Sequence, residues 1–202
     1  KWWEGLAKRQ DEPGEQYRKL DNHPADKVSW YDAVAYCRWL SGRLGCEIRL
    51  PSEWEWQQAA TGGDPTNKYP WGGKWDSDRA NTDESGLSRT TAVGLYPQGA
   101  SPVGAFDMSG NVLEWCLNVY ENPRMVEVTG DSRRALRGGS WYDFWLVARC
   151  AFRGVNDPDF RDDTIGFRLL CWSHILSPPA TAQVRRLVFA GLFGGLIFSL
   201  PA

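Results

Sequence analysis

The chain of 202 residues has no cysteine pair at CxxC spacing and no grouping of cysteine and histidine at metal-ligand spacing. Its five cysteines, Cys37, Cys46, Cys116, Cys150 and Cys171, are an odd number. That favours small buried hydrophobes over a disulfide framework, and leans toward a reducing compartment. Histidine is scarce too: His23 and His174 are the only two, and both read as ordinary loop or surface residues. The net charge of −2 gives no electrostatic ground for nucleic-acid binding. No secretion signal, repeat or low-complexity tract is visible, although Lys1 is not an initiator Met. The longest apolar run, Leu187 to Leu200 behind Arg185-Arg186, is shorter than the ~20 residues of a spanning helix and is weakened by three glycines. We expect it to pack on the domain or a partner rather than enter a membrane.

Present in excess are 12 Trp and 21 Gly. Trp brings large area and an indole N–H that needs an acceptor, while Gly permits tight turns and positive φ. The pairing predicts one loop-rich domain packed by aromatics, and the length suffices for a real core.

Residues 1–27 are polar and irregular, with Trp2-Trp3 as an early anchor. Ser29 and Asp32 form an Asp version of a capping box, predicting a helix over 30–44 with Ala33, Cys37, Leu40 and Leu44 on its buried face. Gly45 ends it. Ile48 to Leu50 is a short strand or extended link, after which Ser52 and Glu55 make a full capping box for a second helix ending near Ala60. From Gly62 to Pro102 neither period appears, and so long a loop needs pinning, by Trp71 and Trp75 or by a cation. In Asn111-Val112-Leu113-Glu114-Trp115 the carboxylate lies in apolar surroundings and needs a partner. Two readings fit: Asn111 and Glu114 share a hard cation, or both serve nearby backbone.

The segment from Arg137 to Arg168 obeys no period. Strands are expected at 135–141 and 166–170, as neighbours in one sheet. Between them Tyr142, Asp143, Phe144, Trp145, Leu146 and Val147, then Phe152, Gly154, Val155, Phe160, Asp162, Asp163 and Thr164, mix aromatic, acidic and small residues. This is poor helix and poor strand chemistry, and it reads as a displayed binding surface between packed ends.

Five motifs in order carry a resemblance: Val28-Ser29-Trp30-Tyr31-Asp32-Ala33, Arg49-Leu50-Pro51-Ser52-Glu53-Trp54-Glu55-Trp56, Gly110-Asn111-Val112-Leu113-Glu114-Trp115, Arg137-Gly138-Gly139-Ser140-Trp141 and Gly166-Phe167-Arg168. Together they resemble the formylglycine-generating-enzyme (sulfatase-modifying-factor) family. The resemblance implies an α+β, C-type lectin-like domain over 28–172, with two helices around small antiparallel sheets and long irregular loops. It also implies that the family's first strands precede residue 1, with 1–27 belonging to the same domain and 173–202 forming an apolar tail. Family oxidases carry a copper-binding cysteine pair just after the GGS motif, where this chain has Tyr142 to Val147. Family iron enzymes need several histidines. The resemblance therefore implies a member without those chemistries, requiring no cofactor beyond a possible structural calcium. Asn111, the Val112 carbonyl and Glu114 match one calcium site, and Asn81 resembles a ligand of another, in which Glu84 and Ser85 compete for the position of the family's acidic ligand.

A narrower resemblance is to variable proteins of diversity-generating retroelements, which use this fold and rewrite adenine-containing codons near the 3′ end of the gene. The skeleton of their variable region is matched by Ala148-Arg149, Arg153, Asp157-Pro158, Arg161 and Ile165-Gly166-Phe167-Arg168. Tyr142, Asp143, Phe144, Leu146, Val147, Phe152, Gly154, Val155, Phe160, Asp162, Asp163 and Thr164 are each reachable from an AAC codon through its first two bases. Lys, Glu, Gln and Met are not, and none occurs from 142 to 164. Trp145 is not reachable either and reads as frame, while Leu146 and Val147 fit core as well as surface. The implied function is non-catalytic binding of a protein or other macromolecule, with a cytoplasmic or phage-borne address. The alternatives are an oxidoreductase of unrecognised mechanism and an interaction domain with one fixed partner.

Overall fold

The computed structural model describes residues 1–8 and 20–172. Expectations for His174, for 173–202 and for the apolar run at 187–200 fall outside the described residues.

Helix α1, Trp30–Leu44, starts where Ser29 Oγ accepts from the Asp32 N–H and the Asp32 carboxylate accepts from the Ser29 N–H. It stops at Gly45 in the left-handed region, φ 68°. Leu44, expected on the buried face, is instead exposed, because the helix outruns a core whose buried members on it end at Cys37. Strand β1, Glu47–Arg49, follows, and helix α2, Glu53–Thr61, begins at the capping box of Ser52 and Glu55. Arg49 grips Glu55 through two bonds of 2.8 Å. Burial would raise the Glu55 carboxyl, but the Arg49 pair and the Ser52 N–H pull it down to about 2.

The remaining strands are β2, Leu113–Val119, β3, Arg134–Arg137, β4, Gly154–Asn156, β5, Ile165–Phe167, and β6, Leu170–Trp172. One sheet runs β4-β3-β2-β5, and β1 pairs with β6 in another. Two expectations are corrected here. The segments around 135 and 166 share a sheet but are not neighbours, because β2 lies between them, antiparallel to β3 and parallel to β5. The larger sheet is therefore mixed. The run 166–170 is also not one strand: Arg168 turns inward, so the chain leaves one sheet at Phe167 and joins the other at Leu170.

Strand periodicity places the helices. Trp115 and Leu117 of β2 join the core under α1, whereas Cys116 between them joins the core under α2. Successive side chains point to opposite faces, so the two helices cover opposite faces of the sheet. Trp30, Trp56 and Trp115 are fully buried, and each indole N–H has an acceptor, respectively the Cys116 carbonyl, Glu114 Oε2 and the Val28 carbonyl. The Arg134 guanidinium lies 3.8 Å over the Trp30 ring and donates to the carbonyls of Leu117, Glu127 and Thr129.

The long loop is pinned by aromatics. Tyr69 stacks on Trp71 at 5.3 Å, and Trp75 closes against both. Residues 1–8 also pack on the body: Trp3 and Leu6 join the core under α1, and Arg38 donates to the carbonyls of Trp2 and Glu4.

Candidate functional site

The frame of the 137–168 segment is built inward. Arg137 is buried, donates to Gln57 Oε1 and to the Cys150 carbonyl, and lies over the Trp56 ring at 5.2 Å. Gly139 has φ 71°, and a Cβ there would come within 3.0 Å of the Ala148 backbone, so this turn needs glycine. The Trp141 N–H donates to the Asn111 carbonyl, and its indole donates to the Asp163 carbonyl at 3.2 Å. Both ends of the segment are thereby brought to the start of β2, where the Leu113 N–H donates to the Thr164 carbonyl. Ser140, Ala148, Cys150, Pro158, Ile165 and Gly166 are buried.

Between these anchors the candidate side chains face outward. Tyr142 is 70% exposed, Phe144 54%, Trp145 41%, Phe160 41% and Leu146 37%. Asp143, Val147, Phe152, Gly154, Val155, Asp162, Asp163 and Thr164 are half-buried, and none of the thirteen is interior. Leu146 and Val147 are thus not core. Trp145, expected as frame, is exposed, and only its backbone is held, by Glu84 Oε1 and by the Tyr69 hydroxyl.

The candidates do not all sit together. Residues 142–147 and 162–164 lie near the start of β2. Gly154 and Val155 lie on edge strand β4, with β3 and β2 separating it from β5, a span of about 14 Å at ordinary strand spacing. Phe160 lies on the crossover between the two edges, in a turn whose Pro158 carbonyl accepts from the Trp30 N–H and whose Arg161 pairs with Asp32.

Three candidates are less free than the sequence suggested. The Asp143 carboxylate accepts from the Ser140 N–H at 2.9 Å and from its hydroxyl at 2.7 Å, closing the turn. Asp162 Oδ1 accepts from the Thr164 N–H and hydroxyl. Both acids are turn formers here rather than idle polar contacts. A Cβ on Gly154 would approach Leu136 Cβ at 3.1 Å, so a larger residue there requires β3 to yield slightly.

Sequence reasoning also missed a strut. Glu53 is buried and accepts two bonds from Arg153, at 2.6 and 2.8 Å, while Arg153 stacks on Tyr120 at 4.3 Å. This ties the start of β4 to α2. The only signal was an acid at the first position of a helix, which its cap already explained.

The cation site expected on Asn111, Val112 and Glu114 does not fit this arrangement. Both oxygens of Glu114 are paired with the buried Arg168 guanidinium, and the Trp56 indole donates to one of them at 2.7 Å. Asn111 points elsewhere: its Oδ1 accepts from the Thr91 N–H at 3.0 Å and its Nδ2 donates to the Thr91 carbonyl. Arg168 supplies the positive charge that Glu114 requires. Asn81 Oδ1 accepts from the Ser85 hydroxyl at 2.9 Å, its Nδ2 donates to the Arg89 carbonyl, and Glu84 is bonded instead to Thr82 and Trp145. His23 meets the Thr90 hydroxyl. Among the described residues no group of three or more His, Cys, Asp and Glu gathers at metal-binding distance.

The three buried cysteines supply no ready nucleophile. Burial pushes the Cys37 and Cys150 thiols up to about 12 and raises the Cys116 thiol as well. Such thiols are inert at neutral pH.

The match to known proteins agrees with this architecture. The model of the sulfatase-modifying factor enzyme 1-like domain matches residues 1–172, and the chain belongs to that family. It is 36% identical to the inactive C-alpha-formylglycine-generating enzyme 2 of Mus musculus over 83% of this chain and 56% of that protein. It is 32% identical to the formylglycine-generating enzyme of the same organism, over 83% of this chain and 50% of that protein. The chain thus spans about half the length of these curated relatives. Among solved structures, Treponema denticola variable protein 1 superposes with a TM-score of 0.65 at 23% identity, covering 83% of this chain and 79% of that one. The fold is accordingly the α+β, C-type lectin-like fold of this family.

Proposed function

We propose that this chain is a non-catalytic binding protein that presents the side chains of 142–164 to a protein or other macromolecular ligand. The observation that supports it is the partition inside that segment. The positions matching a fixed skeleton include buried Ala148, Pro158, Ile165 and Gly166 beside exposed Arg149, Arg153 and Asp157, whereas all twelve candidate positions retain exposure. Tyr142, Phe144 and Phe160 act as rigid aromatic anchors, which give large contact area at low entropic cost. Trp145, exposed in the same loop as Tyr142 and Phe144, adds a fourth ring. Stability comes mainly from residues that face away, which leaves the exposed rings free to change, while Asp143, Asp162 and Thr164 also hold turns.

The test is to sequence the gene across isolates and look for a near-identical, adenine-rich template beside a reverse transcriptase gene. Substitutions confined to the twelve positions, with such a template, are expected. Substitutions spread evenly over the domain contradict the reading.

The formylglycine-generating enzyme among the relatives favours a second reading, an oxidoreductase. Purified protein with stoichiometric copper or iron and oxygen consumption would establish it. The first reading expects neither.

A further inference from the structure

Two of the five cysteines differ from the rest. Cys46 follows the cap of α1, Cys171 lies in β6 opposite Ile48, and their sulfur atoms are 3.6 Å apart. Both are half-buried, whereas Cys37, Cys116 and Cys150 are buried. We propose that Cys46 and Cys171 are a covalent modification site, an internal disulfide that closes when the protein meets a disulfide oxidant of the oxidised-glutathione class.

The chemistry balances without any other reagent. One protein thiolate attacks the oxidant, forming a mixed disulfide and expelling one small thiolate. The second protein thiolate attacks the protein-side sulfur, forming the Cys46–Cys171 bond and expelling the other. Two protein thiols lose two electrons and two protons, and one oxidant disulfide becomes two thiols. The sulfurs must close from 3.6 Å to about 2.05 Å, a short movement between the residue preceding β1 and the middle residue of β6. Burial and the Cys46 sulfur push the Cys171 thiol up to about 11.

The position gives the bond a consequence. β6 is short and, among the described residues, is held in its sheet by β1 alone, so a bond from Cys171 to Cys46 clasps that strand to the end of α1. It also closes a long loop of chain, which restricts the unfolded state. The site lies in the smaller sheet, apart from the displayed side chains, and is independent of the binding reading.

The test treats the full chain with oxidised glutathione, then counts thiols in denaturant and maps linked peptides by mass spectrometry. We expect free thiols to fall from five to three, a Cys46–Cys171 peptide, and a melting midpoint raised by several degrees that dithiothreitol reverses. Cys46→Ser and Cys171→Ser should each stop at a free thiol or a glutathione adduct and show no rise in midpoint. Five thiols retained after treatment of the unsubstituted chain, adducts without a cross-link, a bond mapped to other cysteines or between two chains, or a cross-link without a rise in midpoint would each overturn the proposal.

Discussion

Leu146 and Ala148 stand two residues apart in one loop and have opposite roles. Leu146 is 37% exposed, whereas Ala148 is fully buried, its backbone so close to Gly139 that no side chain fits there. The same contrast recurs between Phe160 and Pro158, and between Thr164 and Ile165. An irregular loop can hold such a sharp alternation because its backbone is fixed from outside. The Arg137 guanidinium, the Lys68 carbonyl, the Ser109 hydroxyl and the Asn111 carbonyl each take a frame atom by hydrogen bond. Shape resides largely in the buried set, and the exposed set is the one proposed to bind.

The sharpest way to break the contrast is at the buried pair beneath the loop. Arg168→Met leaves the Glu114 carboxylate buried without its cation and should cost about 3–5 kcal/mol in chemical denaturation. Gly139→Ala combines a left-handed backbone with a contact of 3.0 Å and should cost about 1–3 kcal/mol by the same measurement.

Glu55 supplies a pH-dependent case. Its folded carboxyl is pulled down to about 2 from an ordinary value of 4.5. The stabilisation it provides is complete above pH 4.5 and is lost as pH falls from there toward 2. In urea titrations from pH 6 down to pH 2.5, Glu55→Gln should flatten part of that decline and cost about 1–3 kcal/mol at pH 6.

Asp143→Ala tests a position that belongs partly to both sets. Its carboxylate closes the turn at Ser140, so the loss should be about 1 kcal/mol rather than zero. Smallest of all, Tyr142→Ser and Phe144→Ala should stay within about 0.5 kcal/mol of the parent in thermal melts.

Much of the frame was legible because short-range chemistry decided it. Two capping boxes marked both helix starts, Gly45 marked a stop, and the composition foretold a core in which every fully buried indole found an acceptor. Strand order was not legible. Nothing local to 135 or 166 reveals that β2 passes between them, because the parallel pairing of β2 with β5 is a long-range event. Glu114 shows the same limit. Its need for a partner was plain from Leu113 and Trp115, but the partner is Arg168, which the sequence presented as part of a distant strand. On the displayed side, the twelve positions singled out all keep some exposure, but so do Arg149, Arg153 and Asp157 of the matched skeleton. Codon logic did not reveal that Asp143, Asp162 and Thr164 also hold their own turns.

The most direct measurement is a saturation scan of 142–164 read out by protease resistance of the folded domain. The account predicts that Tyr142, Phe144, Leu146, Val147 and Phe160 accept nearly every residue, while Ala148, Cys150, Pro158, Ile165 and Gly166 accept few. Equal sensitivity in the two sets, or greater tolerance at the buried ones, would contradict it.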